Sequence, residues 1–409
     1  MKYAFPRVIK ANRGDLASRW ALLNALNQIE GNDFFVFAHL REDIPPFIND
    51  FIPYGPLRNA LLTRKGWRAL RKSDVVIWGV GLDLQDDSSL MRLSYLLILY
   101  TFYRLFGLEI WSLFQGAGPI ETPVGRYLAR QVLKRVNTFV ARDPQSLALV
   151  QTLSIEAKTK TYLGHDAIFF SGLEKELDKV GIEERKWIEE ITEDAPLVIA
   201  FNIRQWFHFS SSFLPYQFSK EKYRARSENK MQELVNAARQ TVRFLNIKYH
   251  ARVLLISAYQ PNIEEWEDDL PWLQAVAEGL EPADDVILID RKLTLPAYFL
   301  LMSRLDLVIG MRLHTALIAL RFGVPAINLS YTLKGGSILS HLGLPEYLLE
   351  INDFLKSPEN LEDKIASILK NLLKEKEKTS AAAKLAIKKN EKMLRQLFLA
   401  KGTHPTERI

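Results

Sequence analysis

The chain has 409 residues, 48% of them hydrophobic, and carries 54 Lys or Arg against 48 Asp or Glu, a formal charge of +6. That composition excludes wholesale disorder and fibrous repeats, and the length suits two domains, each large enough to enclose a core. With no Cys in the chain, disulfide scaffolds, thiolate nucleophiles and Cys-ligated zinc are excluded together.

Met1 to Asp15 has no apolar h-region and no small-residue cleavage site, so a cytoplasmic location is expected. The runs 34–37, 74–78, 110–114 and 138–141 then read as strands, and 16–29, 57–70 and 90–106 as helices. The longest uncharged apolar run, 93–103, is shorter than the roughly 20 residues that cross a bilayer. Residues 171–194 are charged and lack strand signals, which predicts a hinge. Beyond it, 197–203, 253–257, 286–290, 307–309 and 326–329 read as strands, with helices at 231–245 and 315–322. Strand and helix in repeated alternation mean parallel sheets covered on both faces. The expected division is an N-terminal Rossmann-like domain (1–170), the hinge, a C-terminal Rossmann-like domain (195–350), C-terminal helices (351–401) and a flexible tail (402–409).

The positive charge has a location. Residues 359–409 hold twelve Lys or Arg and seven Asp or Glu, leaving the rest of the chain close to neutral. There Ile365, Ile368, Leu369, Leu372 and Leu373 follow the spacing of a helix that buries one stripe. A solvated helical face is the plain reading of these charges. Peripheral contact with the inner membrane surface stays open because the excess is contiguous. Nucleic acid is not an expected partner, given the near-neutral body.

Unusual residues collect where each apolar run stops. Those stops are Gly79-Val80-Gly81, Gln115-Gly116-Ala117-Gly118-Pro119, Arg142-Asp143, Arg204, Gly310-Met311-Arg312-Leu313-His314 and Lys334-Gly335-Gly336. Open parallel sheets bind ligands beyond the carboxyl ends of their strands, so the stops should face one cleft between two lobes. Arg312, His314 and the first N–H groups of the following helix suit an anion. Lys334 with Gly335 repeats the pattern, since glycines let amides turn toward an oxyanion. Arg142 and Arg204 add fixed cations, and several cations in one cleft call for a guest with more than one negative charge. Arg142 has a competing reading, in which it pairs with Asp143 or another acid while Asp143-Pro144 starts a helix. No metal site and no cofactor are expected: the seven His never pair at helical spacing, and Asp83, Asp86 and Asp87 are explained by a polar loop.

Met311-Arg312-Leu313-His314-Thr315-Ala316, Gly323-Val324-Pro325 and Tyr331-Thr332-Leu333-Lys334 together resemble the C-terminal signature of the polysaccharide pyruvyl transferase family. Asn12-Arg13-Gly14-Asp15, Gly79-Val80-Gly81, Gln115 to Pro119, Ala141-Arg142-Asp143 with Ser146, and His165-Asp166 agree in order. The middle glycine of the family's triplet is Val80 here, and the aromatic insert from Trp206 to Tyr223 has no counterpart. The resemblance implies an α/β fold with two Rossmann-like domains facing a cleft, as in GT-B glycosyltransferases. It also implies transfer of pyruvate from phosphoenolpyruvate onto two hydroxyls of a sugar as a ketal, the sugar being free, nucleotide-linked or lipid-linked. On that footing His314 protonates the methylene carbon or relays that proton. Arg142, Arg204, Arg312 and Lys334 hold phosphate and carboxylate, with Gly116 and Gly335 beside them, and Asn12, Gly14 and Asp15 lie on the acceptor side, Asp15 activating a hydroxyl. A nucleotide-sugar glycosyltransferase and a non-catalytic glycan-binding relative are the alternatives. The aromatic insert reads either as a packed surface loop or as a stacking platform for a glycan.

Overall fold

The computed structural model describes all residues except 30–32, 54–62, 88–89, 155–158, 206–219, 260–267 and 403–409. The side chains of 220–224, 226, 333–334 and 400–402 also lie outside the description, so the aromatic insert, the Lys334 side chain and most of the 402–409 tail cannot be placed.

Two parallel sheets organise the rest. The N-terminal sheet comprises β1 (Lys2–Phe5), β2 (Asp33–Ala38), β3 (Asp50–Pro53), β4 (Val75–Gly79), β5 (Leu82–Leu84), β6 (Glu109–Ala117), β7 (Thr138–Ala141) and β8 (Lys160–Leu163). Its order is β3-β2-β1-β4-β6-β7-β8, with β5 alongside β6. The C-terminal sheet comprises β9 (Val198–Asn202), β10 (Arg252–Ile256), β11 (Val286–Ile289), β12 (Leu307–Gly310), β13 (Ala326–Ser330) and β14 (Leu348–Glu350), in the order β11-β10-β9-β12-β13-β14. Strands such as Val75–Gly79 and Val198–Asn202 are buried at every position because helices cover both faces.

Strand order reverses direction once in each sheet, between β1 and β4 and between β9 and β12. At such switch points adjacent connections leave in opposite directions and open a crevice beyond the strand ends. The ends of β9 and β12 are level, with Gly310 opposite Asn202. Arg7 and the loop 80–83 therefore belong to one switch point, and Arg204, Arg312 and His314 to the other. After β4 the backbone turns through the left-handed region at Val80 and Gly81. A Cβ on Gly81 would lie 2.5 Å from Arg7 Nη2, so that position must be bare for Arg7 to approach.

Segment 171–194 folds into the helices Glu174–Leu177 and Ile182–Thr192. The C-terminal region forms the helices Ile351–Lys356, Glu359–Lys370 and Leu372–Gly402. The last returns to the N-terminal lobe. There Phe398 packs 5.6 Å from Tyr3 and 5.4 Å from Trp111, and Asn390 donates to the carbonyls of Asp166 and Phe169.

Candidate functional site

His314 lies in the first turn of the helix Leu313–Arg321, beyond the end of β12, and reaches across the seam between the lobes. Its Nε2 is 3.3 Å from Asp166 Oδ2 and 3.5 Å from Arg142 Nη1, while Nδ1 is 3.9 Å from Asp15 Oδ1. Arg142 Nη1 donates to the same Asp166 oxygen at 3.0 Å, and Ser18 Oγ donates to the other at 2.8 Å. Burial pushes the Asp166 carboxyl up, but His314 and Arg142 outweigh it and hold the group well below the usual carboxylate range. Asp15 behaves alike: burial raises it, and Arg7 and His314 bring it down. One imidazole thus sits between two carboxylates held ionised.

A second shell of charge stands behind Asp15. Arg7 donates from Nη2 to Asp15 at 2.9 Å and from Nε to Asp83 at 2.7 Å. Asp83 also takes a hydrogen bond from Trp78 Nε1 at 3.0 Å and pairs with Arg92. These cations hold it low against the opposing effect of burial. Arg7 itself is raised, the pull of Asp83 and Asp15 exceeding the cost of its burial.

The expected cations meet different fates. Arg142 is buried, and its Nε–H has no acceptor among the described residues. Gly116 gives it room, because a Cβ there would come within 3.1 Å of that nitrogen. Of the competing reading, the part that gave Arg142 another acid holds, since it pairs with Asp166; it does not pair with Asp143, whose side chain accepts from Ser146 N at 2.9 Å and caps the helix Pro144–Leu153. Arg312 departs from the expectation of a substrate-gripping fork. Its Nε and Nη2 grip Asp269 at 3.0 and 2.7 Å, and the guanidinium lies 4.3 Å from the centre of the Tyr259 ring. Asn202 ties this pair to the sheet, accepting from Arg312 N at 3.1 Å and donating to Asp269 at 3.1 Å. The reason is local: Asp269 is fully buried and requires a cation. Arg204 donates to the Tyr331 hydroxyl at 2.7 Å and to the Gln205 carbonyl at 3.2 Å, both neutral groups.

The small and polar positions have structural duties. Asn12 caps the helix Arg13–Asn27, accepting from Gly14 N at 3.0 Å and Asp15 N at 3.2 Å, and bridges to Tyr259 across the seam. A Cβ on Gly14 would stand 2.2 Å from His314 Cβ, so Gly14 is what lets the two lobes close around the imidazole. Gly335 lies inside the helix Leu333–His341 rather than in a loop; a Cβ there would be 2.5 Å from Asn328 Oδ1. Among the described residues no group of three or more metal-type ligands is found.

Arg7 and Asp269 are additions that the sequence reading missed, and Asp166 entered it only as part of a motif; Asp83, read as part of a polar loop, instead lies buried in β5 between Arg7 and Arg92. Arg7 follows the strand Lys2–Phe5, which no preceding turn or helix marks out in the sequence. Asp269 precedes Leu270-Pro271 as Asp143 precedes Pro144, a helix-start signal that could have marked it.

A family model described as polysaccharide pyruvyl transferase matches residues 12–332. The amylovoran biosynthesis protein AmsJ of Erwinia amylovora is 23% identical over 269 residues, which are 63% of this chain. The match spans 60% of that relative's length. Among solved structures, the Staphylococcus aureus MnaA–UDP co-structure superposes with a TM-score of 0.59 at 13% identity, covering 100% of this chain and 98% of the other. The UDP-GlcNAc 2-epimerase of Neisseria meningitidis gives 0.57 at 13% identity, covering 98% and 100%. At these identities the likeness concerns the fold, which is the two-lobed GT-B-like α/β architecture.

Proposed function

The chain belongs to the polysaccharide pyruvyl transferase family, and on that premise we propose that it moves pyruvate from phosphoenolpyruvate onto a sugar of a polysaccharide or its precursor. The observation that carries this reading is Arg142: a buried guanidinium beside His314 with an Nε–H that lacks an acceptor among the described residues. A buried donor left unmade is costly, and an anionic substrate would complete it. Among the described residues Arg7 Nη1 and Arg13 Nε are also buried without acceptors, so the surroundings of Asp15 and His314 hold an excess of donors.

In the proposed reaction His314 gives its proton to the methylene carbon of phosphoenolpyruvate, and the neighbouring carbon becomes cation-like. A sugar hydroxyl oxygen bonds to that carbon and returns its proton to the imidazole. The carbon–oxygen bond to phosphate then breaks, and the second hydroxyl oxygen takes its place to close the ketal, its proton leaving on the departing inorganic phosphate. Asp15 and Asp166, ionised on either side of the imidazole, orient it. Arg142 and Arg204 hold phosphate and carboxylate. Lys334, at the start of the helix Leu333–His341, joins them in this proposal. Arg312 acts at one remove, fixing the turn from which His314 projects, and no cofactor is invoked.

Phosphate release from phosphoenolpyruvate in the presence of candidate sugar acceptors tests the reading. Wild-type protein should release phosphate and form product, and His314→Ala should retain phosphoenolpyruvate binding without turnover. Turnover with nucleotide sugars in place of phosphoenolpyruvate would point to glycosyl transfer. Binding without turnover on a broad acceptor panel would point to a non-catalytic relative.

A further inference from the structure

Three helices, Arg64–Lys72, Leu90–Leu105 and Pro123–Leu133, cover the face of the N-terminal sheet opposite the helix Arg13–Asn27. Their inward residues Leu70, Leu93, Leu96, Ala129 and Val132 belong to one hydrophobic cluster. Trp67 ties the first helix to the second, its ring lying 5.0 Å from that of Phe106. The outward side is unusual in two ways. The whole chain balances 54 basic against 48 acidic residues, yet these helices carry nine Lys or Arg and no Asp or Glu. Arg64, Lys65, Arg68, Arg71 and Lys72 are all exposed on the shortest of them.

Large apolar side chains stand among these charges. Ile98 is 62% exposed, Leu105 80%, Val124 56% and Tyr127 61%. Single exposed apolar residues are ordinary, but here they share a helical layer that is basic throughout. Long cationic side chains reach toward phosphates while aliphatic and aromatic groups enter the boundary below the headgroups, which is how a helix lies on a bilayer. No described helix is long and apolar enough to cross a membrane, so this would be surface contact.

We propose that these three helices form a docking face for an anionic lipid bilayer. The charge pattern selects that occupant. Two copies of a face with cations and no anions would repel each other, and a nucleic-acid backbone would leave Ile98 and Leu105 uncovered. The proposal also moves the membrane contact away from the C-terminal cation surplus. The helix Leu372–Gly402 that carries most of that surplus interleaves it with Glu375, Glu377 and Glu391 and packs back onto the N-terminal lobe.

Sedimentation with lipid vesicles tests this independently of turnover. Full-length protein should bind vesicles of phosphatidylglycerol and phosphatidylcholine and bind phosphatidylcholine alone far more weakly. Each surface cation contributes about fivefold in vesicle affinity, so Arg68→Glu, Arg71→Glu and Lys72→Glu combined should reduce binding by about a hundredfold or more. Ile98→Ser with Leu105→Ser should weaken binding to the mixed vesicles, and Lys384→Glu with Lys388→Glu and Lys392→Glu should leave it unchanged. Phosphate release with a soluble acceptor should be the same in all of these variants, so failure of the docking face is distinguishable from failure of the proposed reaction. The assignment is overturned if wild-type protein ignores anionic vesicles, if the helix triple variant binds as wild type does, or if only the C-terminal variant loses binding. It is also overturned if duplex DNA binds equally well and the serine variants bind as wild type, since the face would then be a general polyanion surface.

Discussion

Arg142 and Arg312 are the same residue type, both buried, both just beyond the end of a parallel strand and both close to His314. Their surroundings make them opposites. Arg312 meets a fully buried carboxylate that takes two of its nitrogens, and Asn202 locks the pair to the sheet. Arg142 shares Asp166 with His314 through one nitrogen and keeps a buried Nε–H without an acceptor among the described residues. A cation at a strand end is therefore not yet a binding group; the carboxylate that reaches it decides whether its charge holds the fold or remains for a ligand.

That contrast can be broken from either side. The largest effect should come from His314→Ala, which removes the group both arginines serve. Loss of a general acid typically costs 10²–10⁴-fold in rate, so kcat should fall by about three orders of magnitude with little change in melting temperature. Next is Asp269→Ala, which strands Arg312 in the interior. Removing one partner of a buried pair costs about 3–5 kcal/mol, so chemical denaturation should show a stability loss of that size before any assay of activity. A smaller loss, about 1–3 kcal/mol, is expected for Gly14→Ala, where the new methyl would overlap His314 Cβ and press the lobes apart. Lower melting temperature together with reduced phosphate release would be its signature.

The smallest effect concerns the seam beside Asp166. His165 and His341, one from each lobe, stack with ring centroids 4.1 Å apart, and both ring nitrogens of His165 are buried without hydrogen-bond partners among the described residues. Burial, helped by His341 and Lys389, pushes the His165 imidazole down to about 3. In the unfolded chain it titrates near 6.5. As pH falls below that value the unfolded chain takes up a proton that the folded protein refuses until about pH 3, so stability drops across this window. The loss should reach about 2 kcal/mol at pH 5. His165→Phe should flatten denaturation midpoints between pH 7 and pH 5; an unchanged slope would show that the proton uptake lies elsewhere.

The strand ends were legible because a buried parallel strand writes its length as an apolar run and its end as a change of residue type. Val75–Gly79, Thr138–Ala141 and Leu307–Gly310 all show this. Lys2–Phe5 was not: no turn or helix precedes it to mark its start, and Pro6 follows it at once, so Arg7 and its link to Asp15 and Asp83 went unseen. The pairing of charges was out of reach for another reason. Asp166 stands 24 residues from Arg142, and Asp269 stands 43 from Arg312. Which acid meets which base depends on how the connections pack, and residue type alone does not encode that. Gly14 shows the converse, since its close approach to His314 is visible only once the second lobe is in place.

The most direct test is calorimetric titration of phosphoenolpyruvate into the wild-type protein and into Arg142→Gln, with folding of both verified by their melting curves. A charge-assisted hydrogen bond of about 1.5–3 kcal/mol corresponds to a loss of roughly 10- to 100-fold in affinity, and that is the result expected for Arg142→Gln. Undiminished binding of phosphoenolpyruvate by a well-folded Arg142→Gln protein would contradict the assignment of this guanidinium to the substrate.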